Sequence, residues 1–435
     1  MSATFRSLSS RNYRLWVAGA FVSNIGTWMQ RTAQDWIVLV DLTPQNATAV
    51  GIVMALQFGP ALLLLPVTGF VADHFDRRKI LIATQSSQAV LALVLGLLTV
   101  TGVVQLWHVY AFAFLLGSVT AFDAPARQTF VSELVSDALL SNAVALNSTS
   151  FNAARMIGPA IAGLLIAGVG TGWVFLINAA SFGAVIAALA FLRVEELHRK
   201  KRAVRRAGSF VEGFRYVRRR PEMLTVFLML FLVATFGLNF PVFVSTMAVT
   251  AFHAGAGKFG FLTSMLAVGS VSGALFAARR EKPRLSFLIG GAAVFGLGLG
   301  VASLMPTYAL FGIVLVAVGL SAQTFNTTAN SSIQLWTEPA MRGRVMAIYI
   351  GILQGCTPLG APLVGWVADR FGPRWSLVVG AMAGVLSALV GVRYLVRHRG
   401  LRMRFDSGRP RFTLEAREPA SPAARAYRAP DTDSR

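Results

Sequence analysis

Three charged side chains, Arg31, Asp35 and Arg155, stand inside long apolar stretches where water cannot easily reach them. An arginine at the centre of a bilayer-spanning helix costs at least about 2.5 kcal/mol, so it is kept there for pairing or for function. Asp35 follows Arg31 by four residues, which permits an ion pair along one helix face. Desolvation also favours the protonated form of a carboxylate, so Asp35 could take up and release a proton as a cavity around it changes sides. Arg155 shares one helical stripe with Ser148, Asn152 and Pro159, which turns Asn152 and Arg155 toward protein or a watery cavity. On this pattern Arg155 is either a ligand or coupling charge, or a tie between helices.

The elements that hold these groups are set by composition. Of 435 residues, 55% are hydrophobic and 14% charged, with a mean hydropathy of +0.60, and no ordinary soluble domain has that balance. The apolar runs match the roughly 20 residues needed to cross about 30 Å of hydrocarbon. Spans are read near 13–40, 48–72, 79–101, 106–127, 138–168 and 171–192, then 222–248, 256–279, 285–304, 308–335, 344–368 and 375–396. Between the sixth and seventh, residues 193–222 hold eleven Lys or Arg against four Glu. The expected architecture is therefore an all-α membrane protein with twelve transmembrane helices. Residues 1–192 form one six-helix bundle, 193–221 a basic cytoplasmic linker, 222–396 a second six-helix bundle, and 397–435 a disordered tail rich in Arg, Pro and Ala. The first run carries Arg31 and Asp35, unlike the uncharged core of a secretory signal, so it reads as an uncleaved first helix. A lone Cys356 excludes an intramolecular disulfide and offers no metal cluster.

A formal net charge of +21 would suggest nucleic acid in a soluble protein. Its location argues otherwise. With alternate loops assigned to opposite sides, only Lys258, Arg370 and Arg374 of the 40 Lys and Arg fall outside, while Arg31 and Arg155 lie within spans. The remainder gather on the side of both termini, which the positive-inside tendency makes cytoplasmic. The basic loops thus read as a topology signal beside anionic lipid, with no nucleic acid as partner. The halves are also related: at an offset of 203 residues Arg77 meets Arg280, Phe122 meets Phe325, Asp123 meets Asn326, Arg127 meets Asn330 and Pro159 meets Pro362. Two pseudo-symmetric bundles rocking about a midplane site would leave such a repeat.

The loop after the second span reads GFVADHFDRRK at 69–79. Gly69 permits close helix packing, and Asp73 and Arg77 are spaced to pair across a tight turn. This resembles the signature of the major facilitator superfamily; a degraded second copy keeps Arg280 but has no counterpart of Asp73. The similar GWVADRFGPR at 365–374 falls on the other side and reads as an outer turn. Further segments, NYRLW at Asn12, GTWMQRTAQDW at Gly26, AFDAPARQTFVSELV at Ala121 and NAVALNSTSFNAARMIGPAIAGLL at Asn142, resemble the branch containing the bacterial enterobactin exporter. The resemblance covers about residues 9–396. It implies a proton-coupled exporter of siderophore-like or drug-like small molecules in a bacterial inner membrane, working by alternating access. It carries Gly69, Asp73, Arg77 and Arg78 over as a cytoplasmic gating motif with Asp123, as the partner of Arg77, and Arg127 beside it. Gly158, Pro159 and Gly163 carry over as the fifth-helix packing motif, with Pro362 its repeat.

The second half places almost no charge in its spans. It offers Phe236, Asn239, Phe243, Gln323, Asn326 and Asn330, a mixed aromatic and amide surface suited to bulky amphipathic ligands. The glycines at 296, 298 and 300 follow no strand and so are no nucleotide fingerprint; no GxxxxGK[ST] or HExxH occurs. No enzyme chemistry, cofactor or metal is expected. An importer of the same fold and a non-transporting membrane receptor are the alternatives.

Overall fold

The computed structural model describes residues 3–198, 210–278, 285–339, 341–399, 402–405 and 412–415. The first half runs α1 (Arg11–Trp36), α2 (Ala47–Leu63), α3 (Leu65–His74), α4 (Arg77–Val100), α5 (Leu106–Phe130), α6 (Asp137–Val169) and α7 (Thr171–Ala190). The second runs α8 (Phe210–Arg218), α9 (Pro221–Leu232), α10 (Phe240–Thr246), α11 (Ala256–Ala278), α12 (Leu285–Leu304), α13 (Tyr308–Trp336), α14 (Arg342–Gly355), α15 (Thr357–Phe371) and α16 (Pro373–Arg399). Among the described residues ten helical stretches are long and apolar enough to cross a membrane. The α1 segment, with its polar run SNIGTWMQRTAQD, is not one of them, and α2 is shorter than the rest.

Starts of helices follow side-chain capping: Ser10, Asn46, Asp76 and Thr307 each accept a backbone N–H from the first turn they precede. Interruptions follow proline. The spans expected at 48–72, 222–248 and 344–368 are each broken, at Leu64, Asn239 and Cys356, and each break is followed two residues later by Pro66, Pro241 or Pro358. A proline has no N–H for the ladder and crowds the preceding turn, which favours a restart at these three places, whereas Pro60, Pro125, Pro159 and Pro362 lie inside helices that continue through them. The ends of the first helix in each half are alike, with π-helical turns at Ile37–Asp41 and Met247–Ala251.

The basic segment is not a bare linker: Val217 of α8 is buried, and Glu212 pairs with Arg344 of α14 at 3.0 Å. Within the tail from 397, expected to be disordered, α16 runs on to Arg399 and two strands, β1 (Arg402–Phe405) and β2 (Phe412–Glu415), pair antiparallel. The remainder of that tail, and Arg280 of the second motif copy, lie outside the described residues.

Two faces can be told apart. One, the basic face, carries the chain start, Arg77 to Lys79, Arg193 and Arg342; the other carries the starts of α2 and α11 and the end of α15. The halves meet along α2 against α14 and α15, and along α6 against α11. Small residues let these backbones touch. A Cβ on Gly163 would lie 2.6 Å from the Ala256 carbonyl oxygen, and one on Gly365 would lie 2.5 Å from that of Ala47. Both seams start at the far face and end part-way along the spans, at Leu62 against Gly355 in one and Pro159 against Gly260 in the other; nearer the basic face, α3 packs on α2 and α5 of its own half.

Candidate functional site

The α6 face that forms its seam continues toward the basic face one turn at a time: Gly163, Pro159, Arg155, Asn152. Gly163 and Pro159 touch α11, whereas Arg155 and Asn152 are only partly covered, so they stand where the seam opens into a cleft. Trp28, Arg31 and Asp35 share one face of α1 by the same helical spacing. The Arg155 guanidinium lies 5.5 Å from the Trp28 ring centre and that of Arg31 lies 4.9 Å from it, with Phe58 of α2 5.9 Å from Arg31. Phe151 meets Trp28 edge-on at 5.9 Å, and Gly158 leaves room for the Trp28 side chain. The ion pair permitted by the Arg31 and Asp35 spacing does not form: among the described residues neither has an oppositely charged group within 4.0 Å. Arg31 lies over the Trp28 and Phe58 rings instead. Asn152 donates to its own helix, at the Ser148 carbonyl, 2.8 Å.

Polar bonds between helices surround this cluster in the first half. Gln57 of α2 donates to Gln34 of α1 at 3.0 Å, and Asn178 of α7 donates to Gln30. Toward the basic face, Asp123 is 4% exposed and accepts from Thr84 and Gln85, both 2.7 Å, and from Arg127 at 3.0 Å. Arg127 also donates to Asn24 at 3.3 Å and lies 5.8 Å from the Trp16 ring. The expected pairing of Arg77 with Asp123 is therefore corrected. Asp123 is taken up two turns inside the end of α5 by its own i+4 neighbour, while Arg77, at the very start of α4, reaches Glu133 just past the end of α5. Arg78 donates to the Leu189 carbonyl at 2.8 Å and so ties α4 to α7. Gly69 and Asp73 lie on α3, outside the residues whose side chains the structure describes.

In the second half, Gln323, Asn326, Thr327 and Asn330 form a half-exposed stripe on α13, backed by buried Thr324, Phe325 and Thr328. Tyr349 of α14 donates to Asn326 at 2.5 Å, and Gln334 to Asn330 at 2.6 Å. Two expected lining residues are corrected: Asn239 and Phe243 are wholly buried. Asn239 sits in the break before α10 and donates to the Thr235 carbonyl at 2.8 Å, and Phe243 packs on Gly380. Phe236 remains half-buried.

The segment at 365–374, read as an outer turn, is helical through Phe371 and turns only at Gly372, whose φ of +100° is readily open only to glycine. Asp369 on its last turn accepts the α2 backbone N–H of Ala47 at 2.7 Å and of Thr48 at 2.8 Å, plus the Thr48 hydroxyl at 2.5 Å. A carboxylate thus caps a helix of the other half, where the first-turn donors lack partners and the dipole favours negative charge. A cavity of about 410 Å³ lies beside this latch, lined from both halves.

Sequence reasoning missed Trp28, Glu133, Tyr349 and Asp369. Only Asp369 had a signal, its glycine-to-aspartate spacing.

A family model described as transmembrane secretion effector matches residues 2–405. The chain is 27% identical to the staphyloferrin A transporter of Staphylococcus aureus, covering 82% of this chain and 89% of that one. It is 24% identical to macrolide efflux protein A of Streptococcus pyogenes, over 85% and 92%, and 26% identical to multidrug efflux pump Tap of Mycolicibacterium fortuitum, over 88% and 95%. Among solved structures, it aligns with TM-score 0.65 and 15% identity to a bacterial homologue of the human lysosomal transporter Spinster, inward-facing and unoccupied, over 88% and 95%. A POT family transporter in complex with 5-aminolevulinic acid aligns with TM-score 0.72 and 11% identity, over 88% and 96%.

Proposed function

The chain belongs to the transmembrane secretion effector family of major facilitator transporters, and from that premise we propose that it is a proton-coupled exporter of siderophore-like or drug-like small molecules. It is a multi-pass membrane transporter, not an enzyme. In this reading α1 and the α2 and α3 pair join the ten apolar stretches to make twelve spans, six in 1–192 and six in 222–396. The basic face lies in the cytoplasm of a bacterial cell, with the bilayer of the inner membrane around the spans and both termini inside. The structure is then the state open to the cytoplasm, with the outer face closed by the α2 and α6 seams and by the Asp369 cap.

One observation carries the reading. The seams between the halves end part-way along the spans, and there Arg31 and Arg155 stand partly uncovered, with Asp35 partly uncovered one turn nearer the far face. Rocking the halves about that point would present the cleft first to one side and then to the other. Asp35, on the cleft face and without an ion partner within 4.0 Å, is the proton carrier in this scheme. Asn152, Phe236, Gln323, Asn326 and Asn330 line the substrate path. Gly69, Asp73, Arg77 and Arg78 form the latch of the alternate state, supported by the Asp123 and Arg127 pair, and Gly158, Pro159, Gly163 and Pro362 keep the helices close enough to slide. The narrower likeness to the enterobactin-exporting branch, in the first-half segments, favours a siderophore-like cargo.

Everted membrane vesicles carrying the protein and energised with a proton gradient test this. Accumulation of a catecholate siderophore or of a lipophilic dye is expected, abolished by a protonophore and lost in Asp35→Asn while counterflow persists. Movement only in the opposite orientation would replace export by import, and counterflow in neither orientation would leave a non-transporting receptor.

A further inference from the structure

Resting on the reading of the cleft as the substrate's path, we infer that Arg31 and Arg155 form an anion site, and that the substrate class is an organic anion with a flat, apolar or aromatic body.

Arg77 and Arg127 hold Glu133 and Asp123, Arg220 holds Glu338, and Arg78 and Arg374 donate to backbone carbonyls. Arg31 and Arg155 differ: among the described residues they have neither an ion pair within 4.0 Å nor a hydrogen bond. They are also the two whose helices place them deepest between the faces, where an unpaired cation is most costly. What they do have is aromatic faces. Both guanidinium groups lie within 5.5 Å of the Trp28 ring centre, a contact that orients a planar cation without neutralising it. The rim of a guanidinium stacked on a ring keeps its N–H donors free for the two oxygens of a carboxylate, sulfonate or phenolate pair.

Charge balance then selects the ligand. Two fixed cations face one carboxylate, Asp35, which contacts neither of them, so the cluster is positive and repels a cationic guest. The rest of the lining suits the remainder of such a molecule. Phe58 and Phe151 extend the aromatic surface around Trp28, and the half-exposed α13 stripe of the other half offers neutral amides that can bond a ligand without competing for its charge.

The test uses the full-length protein in nanodiscs and three probes of one shape: naphthalene-2-sulfonate, the neutral naphthalene-2-sulfonamide, and cationic 2-(aminomethyl)naphthalene. Calorimetric titration should give the sulfonate at least about tenfold tighter binding than the sulfonamide, the margin of a charge-assisted hydrogen bond, with no competition from the amine. Arg31→Gln and Arg155→Gln should each erase that preference while leaving sulfonamide binding, and Arg155→Lys should restore part of it. Equal binding of the three probes by the unaltered protein, or tighter binding of the amine, overturns the inference even if the glutamine variants fail to fold. Vesicles separate this from the export reading. Sulfonate that binds but moves in neither orientation keeps the anion site and removes transport, whereas gradient-driven movement of the amine without sulfonate binding does the reverse.

Discussion

The two halves of the chain share helix order and proline-marked breaks, yet they are held together by different forces. In the first, side chains bond from helix to helix: Gln57 to Gln34, Asn178 to Gln30, and Thr84 and Gln85 of α4 to Asp123 of α5. In the second, the amides bond mostly within their own helices, as Asn239 does to Thr235 and Gln323 to Thr327, and backbone contact at glycines joins α11 to α13 and α12 to α16. A half that carries charge must fix its polar groups, because each one left unmatched away from water is costly. A half without charge can rely on close packing and keep a more adaptable surface.

This contrast can be broken by substitution. The largest effect is expected at Asp123→Asn, which leaves the Arg127 guanidinium short of its carboxylate inside the first half; a loss of about 3 kcal/mol should appear as a lowered unfolding midpoint in micelles. Arg127→Gln in the same chain should return part of that loss. Next comes Gly269→Ala in the second half, where the added methyl would overlap the Val316 carbonyl oxygen. Overpacking there should cost about 2 kcal/mol in the same assay. Asn326→Ala, at the position the repeat aligns with Asp123, removes one tyrosine hydrogen bond and should cost only about 1 kcal/mol. If it costs as much as Asp123→Asn, the halves do not differ as described. The smallest change is Arg193→Gln, an exposed pair with Glu196, for which less than about 1 kcal/mol is expected.

Much of this was legible in the sequence, because bilayer thickness imposes span length. The read span at 138–168 and α6 at Asp137–Val169 differ by one residue at each end. The interruption of three spans was missed although Pro66, Pro241 and Pro358 were in view, since hydropathy alone does not register a lost N–H. Arg31, Asp35 and Arg155 could be singled out because a charge in an apolar run is costly wherever the chain folds. Their neighbours could not. Trp28 is one of eight tryptophans, and its place between two arginines depends on how α1 meets α6. Glu133 lies 56 positions from Arg77 and Asp369 lies 321 from Thr48, so both contacts exist only once helices from distant segments are packed.

The central claim is that the halves rock about the cluster, with the far face closed in the structure described. It is tested most directly by spin-label distances in a Cys356→Ala background, with one pair at Thr101 and Thr307 on the far face and another at Ser136 and Gly343 on the basic face. Adding a proton gradient, or replacing Asp369 with Asn to remove the α2 cap, should lengthen the far-face distance and shorten the basic-face distance together. Distances that stay fixed at both faces, or that lengthen at both, would contradict alternating access in this protein.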